Sequence, residues 1–161
     1  PRMTELGAPA ASAEVSIDAD ADAVYALITD LPTLATLAEE AEAMSWVKGD
    51  AVRPGAVFKG HNRNGRRTWS TTCTVNDAQP GRVFAFDVRY TVLPIAHWRY
   101  DISSDGPGRC RVVEGTWDQR PGWFSRLAGF TTGVHDRVTA NNRHIQATLD
   151  RLKERAESAT R

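Results

Sequence analysis

Polar and apolar residues alternate through the middle of the chain, as they do in strands that bury one face and expose the other. The alternation predicts six strands, at Met44–Lys48, Ala56–Asn64, Arg66–Asn76, Arg82–Tyr90, Ile95–Ser103 and Arg109–Trp117. Short sequences rich in glycine, asparagine, aspartate or proline separate these strands and predict turns. Consecutive strands joined by short turns favour an antiparallel sheet.

Before these strands, the pattern predicts one further strand and two short helices. The strand is Ala13–Ile17, and the helices are Ala21–Thr29 and Thr33–Ala41. Pro32 separates the two helices, because proline lacks a backbone donor and disfavours helix in the residue before it. The first eleven residues are small and polar, and we expect them to be flexible.

After the six strands, apolar residues recur at helical spacing and predict one long amphipathic helix. The apolar stripe consists of Leu127, Phe130, Val134, Val138, Ile145, Leu149 and Leu152. Gly129 and Gly133 disfavour helix, so the regular part is expected to begin near Gly133. Asn141 also lies on the stripe, and a polar group there must hydrogen-bond to the backbone, to Glu114 or to a ligand.

The sequence FKGHNRNGRRTWSTTC, residues 58–73, predicts a hairpin. Asn64-Gly65 between two strands is a strong signal for a type I′ turn, because both residues tolerate the positive φ that this turn requires. A turn at these two residues predicts that Arg63 pairs with Arg66 and Phe58 with Thr71.

This pairing sorts the hairpin residues onto two faces of the sheet. The inward face carries Phe58, Asn62, Arg67, Trp69 and Thr71, which are predicted ligand-binding residues. The outward face carries Lys59, His61, Arg63 and Arg66, which are expected to be solvated. For Asn62 and Arg67 two interpretations stay open: hydrogen bonds at the rim of the core, or contact with a ligand inside the concavity.

Two further strands add aromatic residues to the inward face. Phe84 and Phe86 alternate on one strand, and Trp98 and Tyr100 alternate on the next. A sheet that curls around one helix with such residues inside predicts a ligand cavity lined by aromatic rings. The alternative is that these rings simply fill the core.

Glu114 shares a predicted face with Cys110, Val112 and Thr116. If that face is inward, a carboxylate points at the cavity, and it is the candidate catalytic residue as well as a ligand contact. Burial would raise the pKa of this carboxyl, whereas a nearby arginine, Arg67 or Arg99, would lower it. The alternatives are an outward glutamate or a structural ion pair.

Composition excludes several classes of function. The 20 basic residues equal the 20 acidic residues, so the basic excess of a nucleic-acid-binding protein is absent. No apolar run reaches the roughly 18 residues of a membrane span. Two cysteines without metal-ligand spacing predict free thiols in a reducing cytoplasm.

The sequence contains none of the motifs that announce a cofactor, a metal or a covalent nucleophile: GxGxxG, GxxxxGK[ST], HExxH, GxSxG and CxxC. We therefore expect no cofactor and no metal. Any catalysis would be general acid/base chemistry by Glu114, a histidine or a tyrosine.

Several stretches resemble the START/Bet v 1-like superfamily, in particular its bacterial polyketide cyclase/dehydrase and lipid-transport branch. They are VSIDADADAVYALITDLPTL, FKGHNRNGRRTWSTTCTV, PGRVFAFDV, HWRYDI, RVVEGTW and the last helix. The resemblance implies an α+β helix-grip fold, in which a seven-stranded antiparallel sheet wraps around the C-terminal helix. It also implies a hydrophobic cavity and a single domain over residues 12–157.

Three functions follow, in order of preference. The first is binding or transport of a hydrophobic small molecule such as a lipid or polyketide, and the predicted ligand contacts on the helix are Val134, Val138 and Asn141. The second is a polyketide cyclase or dehydratase. The third is a module that binds a protein partner. The exposed faces also allow a homodimer, although nothing in the sequence specifies one.

Overall fold

A computed structural model describes residues 6–38, 41–123 and 134–159, the last range without the side chains of residues 134–141. The strands are β1 Ala11–Ile17, β2 Ala41–Lys48, β3 Val57–Asn64, β4 Arg67–Gln79, β5 Val83–Tyr90, β6 Leu93–Ser104 and β7 Cys110–Asp118. The helices are α1 Ala21–Ile28, α2 Leu31–Leu37 and α3 Val134–Ala159. Leu127 and Phe130 of the predicted stripe lie outside the described residues.

The seven strands form one antiparallel sheet in the order β1-β7-β6-β5-β4-β3-β2. The chain therefore runs through neighbouring strands from β2 to β7, and β1 adds to the far edge beside β7. The buried side chains of α3, which are Ile145, Leu149, Leu152 and Ala156, belong to the same core as the apolar face of the sheet. The predicted α+β class and helix-grip arrangement are confirmed.

The second helix begins earlier than the sequence pattern predicts. It covers Leu31–Leu37, so the predicted range Thr33–Ala41 is wrong at both ends. Pro32 stands in the first turn, where its missing N–H costs no helical hydrogen bond. Asp30 caps the helix, because its side chain accepts a hydrogen bond from the backbone N–H of Thr33 at 3.2 Å.

The hairpin between β3 and β4 has a different register from the predicted one. Asn64 pairs with Arg67 and Phe58 pairs with Cys73, so the pairing of Arg63 with Arg66 is wrong. Gly65 has a φ of 64° and is the only residue of the turn with positive φ. This fits a type II′ turn, which has glycine at its first central position.

The inward and outward faces of the hairpin are nevertheless as predicted. Each β3 residue pairs with a β4 residue two positions later than predicted. A shift of two positions keeps every side chain on the same side of the sheet. Gly60 faces Thr71. A side chain at Gly60 would approach the Thr71 hydroxyl to 3.1 Å, so the glycine permits close contact there.

Gly81, in the turn between β4 and β5, offers a test of how this turn is held against α1. Its φ is 73°, and an added Cβ would lie 2.4 Å from a carboxylate oxygen of Asp22. Gly65 has a similar φ of 64° but open space around its Cβ position. We expect Gly65→Ala to lower the free energy of unfolding by about 1 kcal/mol through backbone strain alone. Gly81→Ala should cost roughly twice as much, because Asp22 must also move.

Urea denaturation of both variants measures this difference. Equal losses for the two substitutions would contradict the close approach of Asp22 to Gly81. The double variant Asp22→Ala/Gly81→Ala should recover the extra loss and leave only the cost of positive φ.

Candidate functional site

A chain of aromatic contacts crosses the inward face of the sheet. The Phe58 ring lies 5.3 Å from the Phe86 ring, and the Phe86 ring lies 5.1 Å from the Phe84 ring. Phe84 stacks on Tyr100 at 6.1 Å, with an angle of 12° between the ring planes. The structure thus brings four of the predicted residues into one cluster, which joins β3, β5 and β6.

Trp98 extends this surface toward β7. It pairs with Phe86 on one side and with Thr116 on the other. Trp98 is half-buried, whereas Thr116 is buried. Thr116 was not selected from the sequence, although its alternation with Glu114 placed it on the same face.

Glu114 is a buried carboxylate on this otherwise apolar and aromatic face. Only 2% of its surface is exposed, and it pairs across the sheet with Tyr100. The Tyr100 hydroxyl donates a hydrogen bond to the Glu114 carboxylate. The other carboxylate oxygen, Oε1, is buried and has no hydrogen-bond partner among the described residues.

Burial dominates the protonation of this pair. It raises the pKa of Glu114 to about 8, and the hydrogen bond from Tyr100 lowers that pKa by a smaller amount. Burial, together with the neighbouring carboxylate, also raises the pKa of Tyr100. At neutral pH, Glu114 is therefore mainly a neutral carboxylic acid that can donate as well as accept a hydrogen bond.

Neither arginine proposed as a partner of Glu114 occupies that position. Arg99 lies between Trp98 and Tyr100 in β6 and so projects from the opposite face. Its Nε donates to Asp101 at 2.9 Å. Arg67 is exposed near the hairpin turn. The expectation that either arginine would lower the pKa of Glu114 is wrong, because alternation along the strand was not applied to Arg99.

The polar residues of the hairpin are already engaged locally. The Asn62 amide donates to the Gly60 carbonyl and to the Thr71 hydroxyl, both at 3.4 Å. Trp69 pairs with Asn62 and is half-buried. Three strand spacings separate β4 from β7, which is roughly 14 Å along the sheet. The hairpin residues and Glu114 therefore occupy different parts of the inward face.

Three predicted contacts cannot be placed. Val134, Val138 and Asn141 lie in the first part of α3, outside the residues whose side chains are described. Their role as ligand contacts stays a prediction, as does that of the other residues assigned from the sequence.

A groove of about 600 Å³ opens at another place, between α1, α2, the loop after β2 and the turn after β4. Its lining includes Tyr25, Leu31, Trp46, Val52, Arg53 and Pro80. A smaller depression of about 230 Å³ shares part of this loop. No predicted ligand-binding residue lines either depression. Trp46, whose ring lies 5.9 Å from the Phe58 ring, was not among the residues predicted from the sequence.

The outward face carries a separate polar pair, in which His97 is buried and Asp87 is partly exposed. His97 is 4% exposed, and its Nδ1 lies 2.8 Å from an Asp87 carboxylate oxygen. Its ring is 5.6 Å from the Trp117 ring. His97 directly precedes Trp98 in β6, and neighbouring residues of a strand project to opposite faces. Because Trp98 shares the face of Glu114, His97 faces away from Glu114. The described residues contain no cluster of three or more side chains suited to a metal ion.

Comparison with known proteins agrees with this architecture. The family model described as polyketide cyclase / dehydrase and lipid transport matches residues 8–157. The chain belongs to this family. The family's match covers nearly the whole chain and confirms the superfamily inferred from the sequence. No curated protein matches the chain.

Several solved structures have a similar fold. The solution structure of the Polyketide_cyc-like protein Cgl2372 from Corynebacterium glutamicum has 25% identity, a TM-score of 0.62 and 91% coverage of each chain. The Zhui aromatase/cyclase from Streptomyces sp. R1128 has 16% identity and a TM-score of 0.63, with 92% of this chain and 95% of that chain covered.

A third similar structure is the di-domain aromatase/cyclase StfQ from the steffimycin biosynthetic pathway. It has 10% identity and a TM-score of 0.65 over 92% of this chain. The chain spans 45% of the length of StfQ. None of the helices in the described part of the chain is long and apolar enough to cross a membrane.

Proposed function

We propose that the protein binds a hydrophobic small molecule, such as a lipid or a polyketide, between the inward face of the sheet and α3. The observation that carries the proposal is the buried Oε1 of Glu114, which has no partner among the described residues. Buried polar atoms are hydrogen-bonded in the great majority of proteins. An unmade hydrogen bond costs about 1–3 kcal/mol, and a ligand that supplies the partner removes this cost.

The surroundings of Glu114 suit an apolar ligand with a single polar group. Phe84, Phe86, Trp98 and Tyr100 would contact its hydrocarbon or aromatic frame, and Glu114 with Tyr100 would fix its orientation. This combination of apolar lining and few polar groups is typical of small-molecule sites. The family description, which includes lipid transport, supports the same class of ligand.

A cyclase or dehydratase is the second candidate, and the protonation of Glu114 favours it. Because burial raises the pKa of Glu114 to about 8, the carboxyl carries a proton at neutral pH. A neutral carboxylic acid in an apolar site can act as a general acid toward a leaving hydroxyl or a carbonyl oxygen. Similarity to the Zhui and StfQ aromatase/cyclases supports this candidate at the level of fold.

The test of binding uses native mass spectrometry of gently purified protein, followed by thermal unfolding of stripped protein with a sterol, a monoacylglycerol and a polycyclic phenol. A ligand that binds only the folded state stabilises it by about 2.7 kcal/mol at 100 times its dissociation constant. Glu114→Leu should weaken binding of the polar-headed probe by roughly 10-fold to 100-fold, since the ligand group loses its partner. Recovery of a chemically changed probe would favour the cyclase or dehydratase.

Two control variants locate the ligand. Glu14→Gln changes an exposed glutamate on the neighbouring strand β1 and should leave binding unchanged. Ala51→Trp places an indole in the 600 Å³ groove and should also leave binding unchanged. If Ala51→Trp alone abolishes binding, the ligand occupies the groove and the proposed location is wrong. If no passenger is found and no probe stabilises the protein, the proposed function is wrong.

A further inference from the structure

Glu114 has no cationic partner in the described part of the chain. Its protonation responds to burial and to the Tyr100 hydroxyl, and no lysine or arginine there contributes. Buried carboxylates are normally paired or hydrogen-bonded at both oxygens, because an isolated charge in a protein interior is costly. When Glu114 ionises, no described lysine or arginine compensates its charge.

The described lysine and arginine side chains that are not exposed all interact with groups other than Glu114. They are Arg99, Arg120 and Lys153. Arg99 donates to Asp101, and Arg120 donates to Asp118 at 2.6 Å. The Lys153 ammonium donates to the Ser16 carbonyl at 3.1 Å and also to Glu157. None of these side chains supplies a positive charge to Glu114.

The aromatic rings beside Glu114 favour a positively charged ligand. Phe84 stacks on Tyr100, and Tyr100 pairs with Glu114 across β6 and β7. Trp98 is two residues before Tyr100 and lies on the same face of β6. The faces of aromatic rings carry negative electrostatic potential and attract ammonium groups, most strongly when water is excluded. Once Glu114 is ionised, the acid and the rings therefore both attract a cation and repel an anion.

We infer that the protein selects its hydrophobic ligand by charge: the preferred ligand is a lipophilic amine whose ammonium group binds Glu114, and lipophilic carboxylates are rejected. This inference rests on the proposed function and adds the chemical class of the polar group. Once Glu114 is ionised, a free fatty acid would place a second carboxylate against it in a site with no described counter-ion, at a large electrostatic cost. An ammonium forms a charge-assisted hydrogen bond with Oε1 instead.

The experiment measures dissociation constants for two matched series by isothermal titration calorimetry at pH 9, where Glu114 is mainly ionised. One series is 2-naphthylmethylamine, 2-naphthylmethanol and 2-naphthoate, and the other is decylamine, decanol and decanoate below their aggregation concentrations. Within each series the hydrocarbon frame stays nearly constant while the polar group changes charge. We expect the amine to bind about 10-fold tighter than the alcohol, and the carboxylate about 10-fold weaker, since one charge-assisted hydrogen bond is at stake.

Variants assign the charge preference to one residue. Glu114→Gln keeps the shape of the side chain and removes its charge, so the amine and alcohol should then bind within about 2-fold of each other. The matched control Glu14→Gln makes the same chemical change at an exposed position and should preserve the order. Unfolding midpoints confirm that both variants are folded.

The possible results separate the two proposals. Equal binding of amine, alcohol and carboxylate, or tightest binding of the carboxylate, overturns the charge preference while leaving hydrophobic binding intact. An amine preference that persists in Glu114→Gln assigns the selectivity to another group and also overturns the inference. Failure of every member of both series, together with failure of the neutral probes above, overturns the proposed function itself.

Discussion

Replacing Glu114 with glutamine is expected to remove a large part of the pH dependence of stability. The pKa of Glu114 is about 8 in the folded protein against an ordinary value of 4.5. Between these pH values the folded state holds a proton that the unfolded state has lost. The free energy of unfolding of the natural protein therefore falls as pH rises from about 4.5 to about 8, by roughly 3–5 kcal/mol. Because glutamine does not ionise, this fall in the free energy of unfolding is absent from the Glu114→Gln variant.

The measurement is urea denaturation of both proteins between pH 4 and pH 9. The stability of Glu114→Gln relative to the natural protein should rise across this range and level off above about pH 8. Glu14→Gln, an exposed change on the adjacent strand, should shift the difference by less than about 0.5 kcal/mol. Parallel stability curves for Glu114→Gln and the natural protein would show that Glu114 is not buried as a neutral acid.

Phe84→Ala is expected to be strongly destabilising. The Phe84 side chain is fully buried and contacts both Phe86 and Tyr100. Removing it takes away the apolar contacts of a whole ring and leaves a cavity, at a cost of about 3–5 kcal/mol in the free energy of unfolding. The same experiment on Tyr90→Ala provides the control, because Tyr90 is on the same strand but 47% exposed.

Tyr90→Ala should cost well under about 1 kcal/mol, as expected for an exposed position. A loss at Phe84 no greater than that at Tyr90 would mean that the ring is not part of the packed core. A hydrophobic ligand that restores stability to Phe84→Ala would show that the space next to Tyr100 accepts a ligand frame.

The strands could be predicted from the sequence because polar and apolar residues alternate through much of this part of the chain. For example, β5 was predicted as Arg82–Tyr90 and is Val83–Tyr90. The same alternation placed Glu114 on one face with Val112 and Cys110 and left the direction of that face open; all three residues are buried in the structure. A period-two pattern reliably predicts which face of the sheet a side chain occupies when the apolar residues on one face are large.

The errors arose at features that the alternation of polar and apolar residues does not determine. The hairpin register depends on which two residues form the turn, and the sequence NGR offers two choices that place every side chain on the same face. The start of α2 depends on Asp30 as a cap, a local hydrogen bond that outweighs the apparent interruption by Pro32. The hydrogen bond between Tyr100 and Glu114 required the pairing of β6 with β7, which no local pattern specifies.

Other expectations remain predictions. They include the flexibility of residues 1–11, the extent of the domain over residues 12–157, a homodimer, a protein partner and a cytoplasmic location. The first described residues make contacts: the Trp117 indole donates to the Gly7 carbonyl at 3.1 Å, and β1 begins at Ala11, two residues earlier than predicted.

The position of β1 at the edge beside β7 has a consequence for synthesis on the ribosome. Ile17 pairs with Cys110, which is 93 positions later in the chain (110 − 17). At about 5–20 residues per second, the partner of β1 is translated roughly 5–20 seconds after β1 itself. The nascent chain must keep this strand unpaired through that interval, while β2 to β6 can already form hairpins with their neighbours. Completion of the sheet therefore waits for its last strand, and translation pauses before β7 would prolong the exposure of β1.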